Sequence, residues 1–226
     1  MHLRDLIQFL SELEENNNRA WFVMNKPRYD ILRAELLELV TGLISDITRF
    51  DSAVAHCNPK KALFRVNRDL RFARGRPPYK TTFSAAITAS GLKKPSQGGG
   101  PAYYFHIDAH GKMLIAGGEY RPPPDRLRTV RNHVVSDPAG FGKVLRDKGI
   151  NALFGGLEQE DKLLRLPKGF DADAPHQEAL KLKSFVAWRE VSVGKLQPSA
   201  LPGLLLEDFR KVAPLVKWLR AAGPTA

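Results

Sequence analysis

The stretch that decides the fold is Pro101–Gly118, PAYYFHIDAHGKMLIAGG. Polar and apolar side chains alternate through most of it, and a period of two residues is that of a β-strand. Residues 109–111 interrupt the alternation with a short connection of the hairpin type. The stretch therefore predicts two antiparallel strands, over residues 102–108 and 112–117.

Similar runs flank this hairpin. Short alternating segments punctuated by glycine and proline begin at His56 and predict strands near 62–67 and 82–89. LKSFVAWREV, residues 182–191, predicts a late strand, and LKKPSQGGGP, residues 92–101, predicts a flexible loop. Together these segments favour an antiparallel meander sheet.

Helices are predicted on both sides of the sheet. Apolar residues recur at helical spacing over residues 3–13 and again over 29–47. Further helices are predicted after Pro124 and over residues 205–219, where Pro214 is expected to kink or split the last one. The predicted fold class is therefore α+β, with N-terminal helices, a central, mainly antiparallel meander sheet and C-terminal helices.

The chain is long enough for one large domain. Its 226 residues are 43% hydrophobic, which is sufficient for a full core. We expect a single α+β domain over residues 1–193, a linker over 194–203 and a C-terminal helical appendage over 204–226 that packs on the domain. The proline- and glycine-containing stretch SVGKLQPSALPG is the basis for the linker.

Charge and cysteine content narrow the class of protein. The net charge of +11 favours acidic ligands, nucleic acid or anionic surfaces as partners. The single Cys57 permits no internal disulfide, which suits a reducing compartment, and we expect a cytoplasmic protein. No apolar run approaches the roughly 18 residues needed to cross a bilayer, and no signal peptide is visible, so no membrane partner is expected.

The segment Lys60–Lys80, KKALFRVNRDLRFARGRPPYK, is strongly basic, with eight Lys or Arg and one Asp. If Phe64 to Phe72 is extended, Arg65, Asp69 and Arg71 share one face, while Arg68 breaks the pattern and predicts a bulge or turn. Guanidinium groups donate paired hydrogen bonds to carboxylate or phosphate, so an anionic ligand is predicted. The plain alternative is an exposed sheet face on which Asp69 pairs with an arginine.

Residues on either side of this segment are candidates for the same ligand site. Lys80 and Thr81 follow the stiff Pro-Pro turn and are predicted to close on the anion. Tyr79 is a candidate for stacking on the ligand or hydrogen bonding to it, and the alternative is that it anchors its loop to the core. Asn18 and Arg19 are candidates for the pocket rim, and the alternative for Asn18 is a helix cap.

His106 is the best acid/base candidate in the sequence. Tyr104, His106 and Asp108 alternate onto one face of their strand, and an imidazole suits proton transfer at neutral pH. The alternative is a structural, hydrogen-bonded histidine. His106, Asp108 and His110 imitate iron-ligand spacing, but His110 belongs to the turn, so no metal is predicted, and no cofactor motif is present.

Several spaced motifs resemble a known family. They are ENNNRAWF (15–22), FRVNRDLRF (64–72), PPYKT, YYFHI, AGG and LKSF (182–185). In this order they are similar to the domain-of-unknown-function 2461 family of microbial and fungal proteins, from the first helix to about Val193. The resemblance implies no established activity. The family's signature positions that it implies in this chain are Asn17, Asn18, Arg19, Trp21, Phe22, Arg65, Arg68, Asp69, Arg71, Phe72, Tyr79, Lys80, Thr81, His106, Lys183 and Ser184.

Three functions remain open at this point. The leading hypothesis is a protein that binds, or binds and processes, a phosphate- or carboxylate-bearing small molecule in an arginine-lined pocket. The first alternative is a nucleic-acid-binding module in which Arg74, Arg76, Lys93 and Lys94 join the same arginines. The second is a structural or partner-binding protein in which paired arginine and aspartate side chains only staple the sheet.

Overall fold

The computed structural model describes residues 1–69, 71, 75–89 and 100–223. The helices are α1 (Leu3–Glu15), α2 (Arg19–Met24), α3 (Lys26–Thr48), α4 (Pro59–Ala62), α5 (Pro124–Ser136), α6 (Pro138–Leu145), α7 (Lys148–Phe154), α8 (Gln177–Leu180) and α9 (Leu201–Ala221). The strands are β1 (Thr82–Thr88), β2 (Ala102–Asp108), β3 (Lys112–Glu119) and β4 (Phe185–Ser192). Helices before and after a central antiparallel sheet confirm the predicted α+β class.

The four strands form one antiparallel sheet in the order β1-β2-β3-β4. The first three follow each other as a meander, and β4 joins β3 only after α5 to α8 have been completed. One row crosses the whole sheet, because Tyr104 lies opposite both Ala86 and Ala116, and Ala116 lies opposite Trp188. The predicted hairpin, the strand expected near 82–89 and the late strand are confirmed.

The inner face of the sheet carries the core. Tyr103, Phe105 and Ile115 are fully buried there, and α9 packs across β3. Gly117 permits the close approach, since a Cβ at this position would lie 2.3 Å from a methyl carbon of Val212. The opposite, outer face holds the alternate residues of each strand.

A buried polar cluster joins the segment after α3 and the last turn of α9 to this core. The Asp51 carboxylate accepts a hydrogen bond from the Tyr103 hydroxyl at 2.7 Å and two from the Arg220 guanidinium at 2.7 and 2.8 Å. Burial alone would raise the pKa of Asp51, but these hydrogen bonds outweigh it and hold the pKa below its ordinary value. The cluster thereby ties the end of α3 to the last turn of α9.

Helix α9 differs from the sequence-based expectation in where it begins. It begins at Leu201, within the stretch expected to be a linker, and it runs without a break to Ala221, so Pro214 does not split it. Its apolar stripe packs on the sheet, and tertiary packing of that kind sustains a helix that one proline would weaken. In the described ranges, none of the helices is long and apolar enough to span a membrane.

The strand expected near 62–67 is the main correction. Pro59 to Ala62 form the short helix α4, which Asn58 caps by accepting hydrogen bonds from two backbone amides. Beyond it the chain makes only isolated bridges, from Leu63 to Ala85 and from Asn67 to Tyr79. Simple two-residue alternation therefore does not apply to the arginines of this segment.

Candidate functional site

A hollow of about 580 Å³ opens on the outer face of the sheet. Its floor is the outer face of the sheet, where Ala86, Ala102, Ala116 and Gly118 contribute little or no side chain beside Leu114 and Val186. A hollow of this volume suits a small organic molecule. Two walls rise beside this floor, one on the β1 side and one on the β4 side.

Phe64 forms the wall on the β1 side. Its backbone N–H donates to the Ser84 carbonyl at 3.0 Å, which carries the chain along the edge of β1 for a short distance. The Phe64 ring then meets the Tyr104 ring edge-on, with centroids 5.9 Å apart. Backbone pairing with β1 thus positions the aromatic wall, although this pairing is an isolated bridge and not the predicted strand.

The segment from Glu158 to Asp161 forms the wall on the β4 side. The Glu158 N–H donates to the Val186 carbonyl at 2.8 Å, and the Lys183 N–H donates to the Asp161 carbonyl at 3.2 Å. The Trp188 indole lines the hollow and donates to the Glu158 carboxylate. This segment therefore extends the sheet beyond its last strand and raises a rim above the floor.

Tyr104 and His106 are the titratable pair inside the hollow. The Tyr104 hydroxyl lies 3.2 Å from His106 Nδ1, within hydrogen-bond distance. Burial lowers the pKa of His106 below its ordinary value, although Asp108 and Glu190 act in the opposite direction, and burial raises the pKa of Tyr104. At neutral pH the site therefore holds a neutral imidazole beside a protonated phenol, an arrangement that can accept or donate a hydrogen bond.

Asp108 and His110, which with His106 imitate iron-ligand spacing in the sequence, lie outside this site. Asp108 Oδ1 accepts hydrogen bonds at 2.9 Å from the backbone amides of His110 and Lys112, so it closes the hairpin turn. His110 is exposed, with its Nε2 3.5 Å from a Glu14 carboxylate oxygen. Among the described residues, no group of three His, Cys, Asp or Glu side chains could hold a metal ion.

Most of the predicted arginine face lies outside the hollow. Arg65 is exposed, and Arg71 makes a paired interaction with Asp69 at 3.0 and 2.7 Å on the surface. Thr81 is half-buried and does not line the hollow either. The reason is that bridges replace the expected strand. The other basic candidates Arg74, Lys93 and Lys94, the signature position Phe72, and most of the predicted loop 92–101 lie outside the described residues.

Tyr79 and Asn18 have structural contacts that match the plain alternatives. Tyr79 is buried and stacks on Phe22 with centroids 4.2 Å apart. The Asn17 amide donates to the Tyr79 carbonyl and accepts from the Tyr79 N–H, at 3.1 and 3.0 Å. Asn18 caps α2 by accepting from the Trp21 N–H, and Arg19 is exposed.

Arg68 and Lys80 form a cationic corner beside the hollow. The Lys80 ammonium lies 5.5 Å from the centroid of Phe64, the wall residue, and Arg68 donates from Nε to the Tyr79 carbonyl at 3.2 Å. Burial lowers the pKa of Lys80, and the charge of Arg68 lowers it further. Within the described part of the chain, no carboxylate forms an ion pair with either side chain.

Two of the four carboxylates that line the hollow have basic partners. Glu119 is buried against Arg126, whose Nε and Nη2 donate to it at 2.9 to 3.1 Å. Asp161 accepts from both Arg121 and Lys183, at 2.7 and 2.8 Å. Glu158 and Glu160 line the hollow without an ion pair among the described residues, so unpaired negative charge lies on the β4 side and the cationic corner lies on the Phe64 side.

Sequence reasoning missed several residues of this site. Trp188 shares its face of β4 with Val186, and the alternation of LKSFVAWREV contains that signal. Arg121 and Asp161 are 40 residues apart, and no local pattern indicates their contact. Ser184, which accepts a hydrogen bond from the Arg121 N–H at 3.0 Å, became a candidate only through the family resemblance.

Comparison with known proteins agrees with the motifs. A family model described as "Conserved hypothetical protein (DUF2461)" matches residues 5–218. The chain belongs to this family. The DUF2461 match spans both the sheet and α9, so the hollow, its walls and the cationic corner all lie within the family domain. A search of curated proteins and a search of solved structures each found no match.

Proposed function

We propose that this DUF2461 protein binds a small molecule that carries a phosphate or carboxylate group. The body of the ligand lies in the hollow on the outer face, and its anionic group extends past Phe64 to Lys80 and Arg68. The observation that carries the proposal is the position of Lys80 beside the wall residue Phe64, with the charge of Arg68 acting on Lys80 and with no carboxylate paired to either cation among the described residues.

Electrostatics favour a ligand whose anionic group lies at Lys80 and Arg68 over one whose anionic group lies at the β4 wall. A charge that is half-buried without a counter-ion is unfavourable, and a bound anion removes that penalty. Glu158 and Glu160 line the opposite wall without basic partners among the described residues, so an anionic group is repelled from that wall and favoured beside Lys80. Tyr104 and His106 supply the polar contacts inside the hollow. The proposal includes a proton transfer by His106 but does not depend on it.

A thermal-shift screen of phosphorylated and carboxylated metabolites tests the proposal. A ligand at 100 times its Kd stabilises the native state by about 2.7 kcal/mol, or roughly 5–10 °C in Tm for a chain of this size. Lys80→Gln and Arg68→Gln should reduce the shift. The matched controls are Lys61→Gln and Arg65→Gln, since both side chains are exposed on the same basic segment. Equal shifts in all four variants would contradict the proposed anion site.

Nucleic-acid binding is the second candidate, because Lys60, Lys61, Arg65 and Arg76 are exposed on one segment. Contacts to phosphates release counter-ions, so the affinity for duplex would fall with a log-log salt slope of about 0.9 per phosphate. Fluorescence anisotropy with labelled oligonucleotides at low salt decides between the two. No binding under those conditions eliminates this candidate, whereas steep salt dependence without any small-molecule shift would favour it.

A further inference from the structure

Small residues form part of the floor of the hollow. Ala86, Ala102 and Ala116 each end at Cβ, and they lie on neighbouring strands of the sheet. Gly118 continues this part of the floor and cannot carry a side chain, because a Cβ there would lie 2.1 Å from the Phe185 carbonyl oxygen. The small residues leave room above the sheet for a planar group, and Leu114 and Val186 add apolar contact beside it.

Aromatic side chains stand on two sides of that floor. Ala116 lies between Tyr104 and Trp188 in one row across the sheet. A ring resting on Ala116 would therefore have an aromatic residue on the neighbouring strand at either side, and contacts between aromatic rings are favourable. The Phe64 ring, edge-on to Tyr104, adds a third aromatic surface on the β1 side.

The charge beside the hollow completes the description of the ligand. Lys80 lies over the outer part of this aromatic wall, and Arg68 is its neighbour. A ring on the floor with an anionic substituent directed towards Phe64 would therefore meet both the rings and the cations.

We infer, resting on the proposed function, that the ligand of the hollow is an aromatic anion: a planar ring system on the Ala116 floor between Tyr104 and Trp188, with a phosphate, carboxylate or sulfonate at Lys80. The inference names the class of ligand that the proposed function leaves open.

Three probes test this inference on the full chain. The first is 8-anilinonaphthalene-1-sulfonate, an aromatic anion; N-phenyl-1-naphthylamine is its neutral counterpart, and octyl phosphate is an anion without a ring. Fluorescence titration measures the two aromatic probes, and a rise in Tm shows that each probe binds the native state. Octyl phosphate is measured by Tm and by competition with the sulfonate probe.

Two variants with matched controls locate the binding. Ala116→Leu fills the floor and should weaken both aromatic probes by about tenfold or more, whereas Ala152→Leu, on an exposed helical position, should change neither. Lys80→Gln should weaken the sulfonate probe by about three- to tenfold and leave the neutral probe unchanged, with Lys61→Gln as control. If Ala116→Leu is not folded by circular dichroism, Trp188→Leu replaces it, because Trp188 is partly exposed.

The outcomes separate the inference from the function on which it rests. If octyl phosphate raises the Tm in an Ala116-dependent way while both aromatic probes fail, the inference is overturned and the proposed function survives. If the aromatic probes bind but Ala116→Leu and Trp188→Leu have no effect, they bind elsewhere and the inference is overturned. An unchanged affinity of the sulfonate probe in Lys80→Gln overturns the assignment of the anion. Failure of all three probes, together with an empty metabolite screen, overturns the proposed function as well.

Discussion

The ion pair between Glu119 and Arg126 gives the sharpest prediction about stability. Both side chains are only 5% exposed, and the guanidinium also donates to the backbone carbonyls of Leu219 and Gly223. The pair therefore joins the end of β3 to α5 and to the last turn of α9. Glu119→Gln keeps the shape of the side chain but leaves the buried guanidinium without its counter-charge.

The expected cost follows from burial. Removing one partner of a buried pair destabilises a protein by about 3–5 kcal/mol, because the other charge remains desolvated. For a chain of this size that is a fall in Tm of roughly 6–20 °C. The matched control is Asp30→Asn, which breaks the Lys26–Asp30 pair with side chains 56% and 51% exposed. That control should cost only about 0–1 kcal/mol.

Urea denaturation followed by circular dichroism measures both variants. Adding Arg126→Met to Glu119→Gln removes the unpaired charge, so the double variant should be more stable than the sum of the single changes predicts, by roughly 0.5–3 kcal/mol. If Glu119→Gln and Asp30→Asn lose the same small amount of stability, the pair does not lie in a low-dielectric interior, and the argument from burial is wrong.

Three further outcomes are expected. The pKa of Asp51 is depressed in the folded protein, so its contribution to stability is present above the unfolded pKa of about 4 and is lost as pH falls through the lower folded pKa. Asp51→Asn should therefore flatten the acid limb of a curve of stability against pH. An unchanged acid limb would contradict this. Gly117→Ala should lower the free energy of unfolding by about 1–3 kcal/mol, because its Cβ clashes with Val212, and Gly117→Ala/Val212→Ala should recover part of that loss. Gly42→Ala is the control, since a Cβ there meets nothing and should not destabilise the protein. The NMR titration midpoint of His106 should lie below about 6.5, and a midpoint above 7 would show that burial is not the dominant influence.

Local pattern was sufficient for the sheet but not for the basic segment. Tyr104 and His106 could be placed on one face because alternation in β2 depends only on neighbouring residues. The same principle predicts a shared face for Arg65 and Arg71, but only if their segment is a continuous strand. The structure has a short helix capped by Asn58 and isolated bridges there instead. Cationic and aromatic composition indicated the ligand chemistry, while tertiary pairing determined which cations stand beside the hollow.

Which acidic and basic side chains form ion pairs was even harder to predict from the sequence. Glu119 lies at the end of β3, but its partner Arg126 belongs to the following helix, and the pairing depends on how that helix packs against α9. The same holds for Asp161, which meets Arg121 and Lys183 from distant parts of the chain. Sequence therefore predicts the kinds of charge that are present, and only the fold decides which of them remain available to a ligand.

The indole signals of the tryptophans test the central claim most directly. The chain has three tryptophans, and of these Trp188 lines the hollow, whereas Trp21 packs on Phe9 and Trp218 packs on Phe141. In a ¹⁵N-correlated NMR titration with 8-anilinonaphthalene-1-sulfonate, the indole signal that Trp188→Phe removes should shift while the other two stay in place. A saturable shift of Trp21 or Trp218 with Trp188 unmoved would contradict binding on the outer face of the sheet.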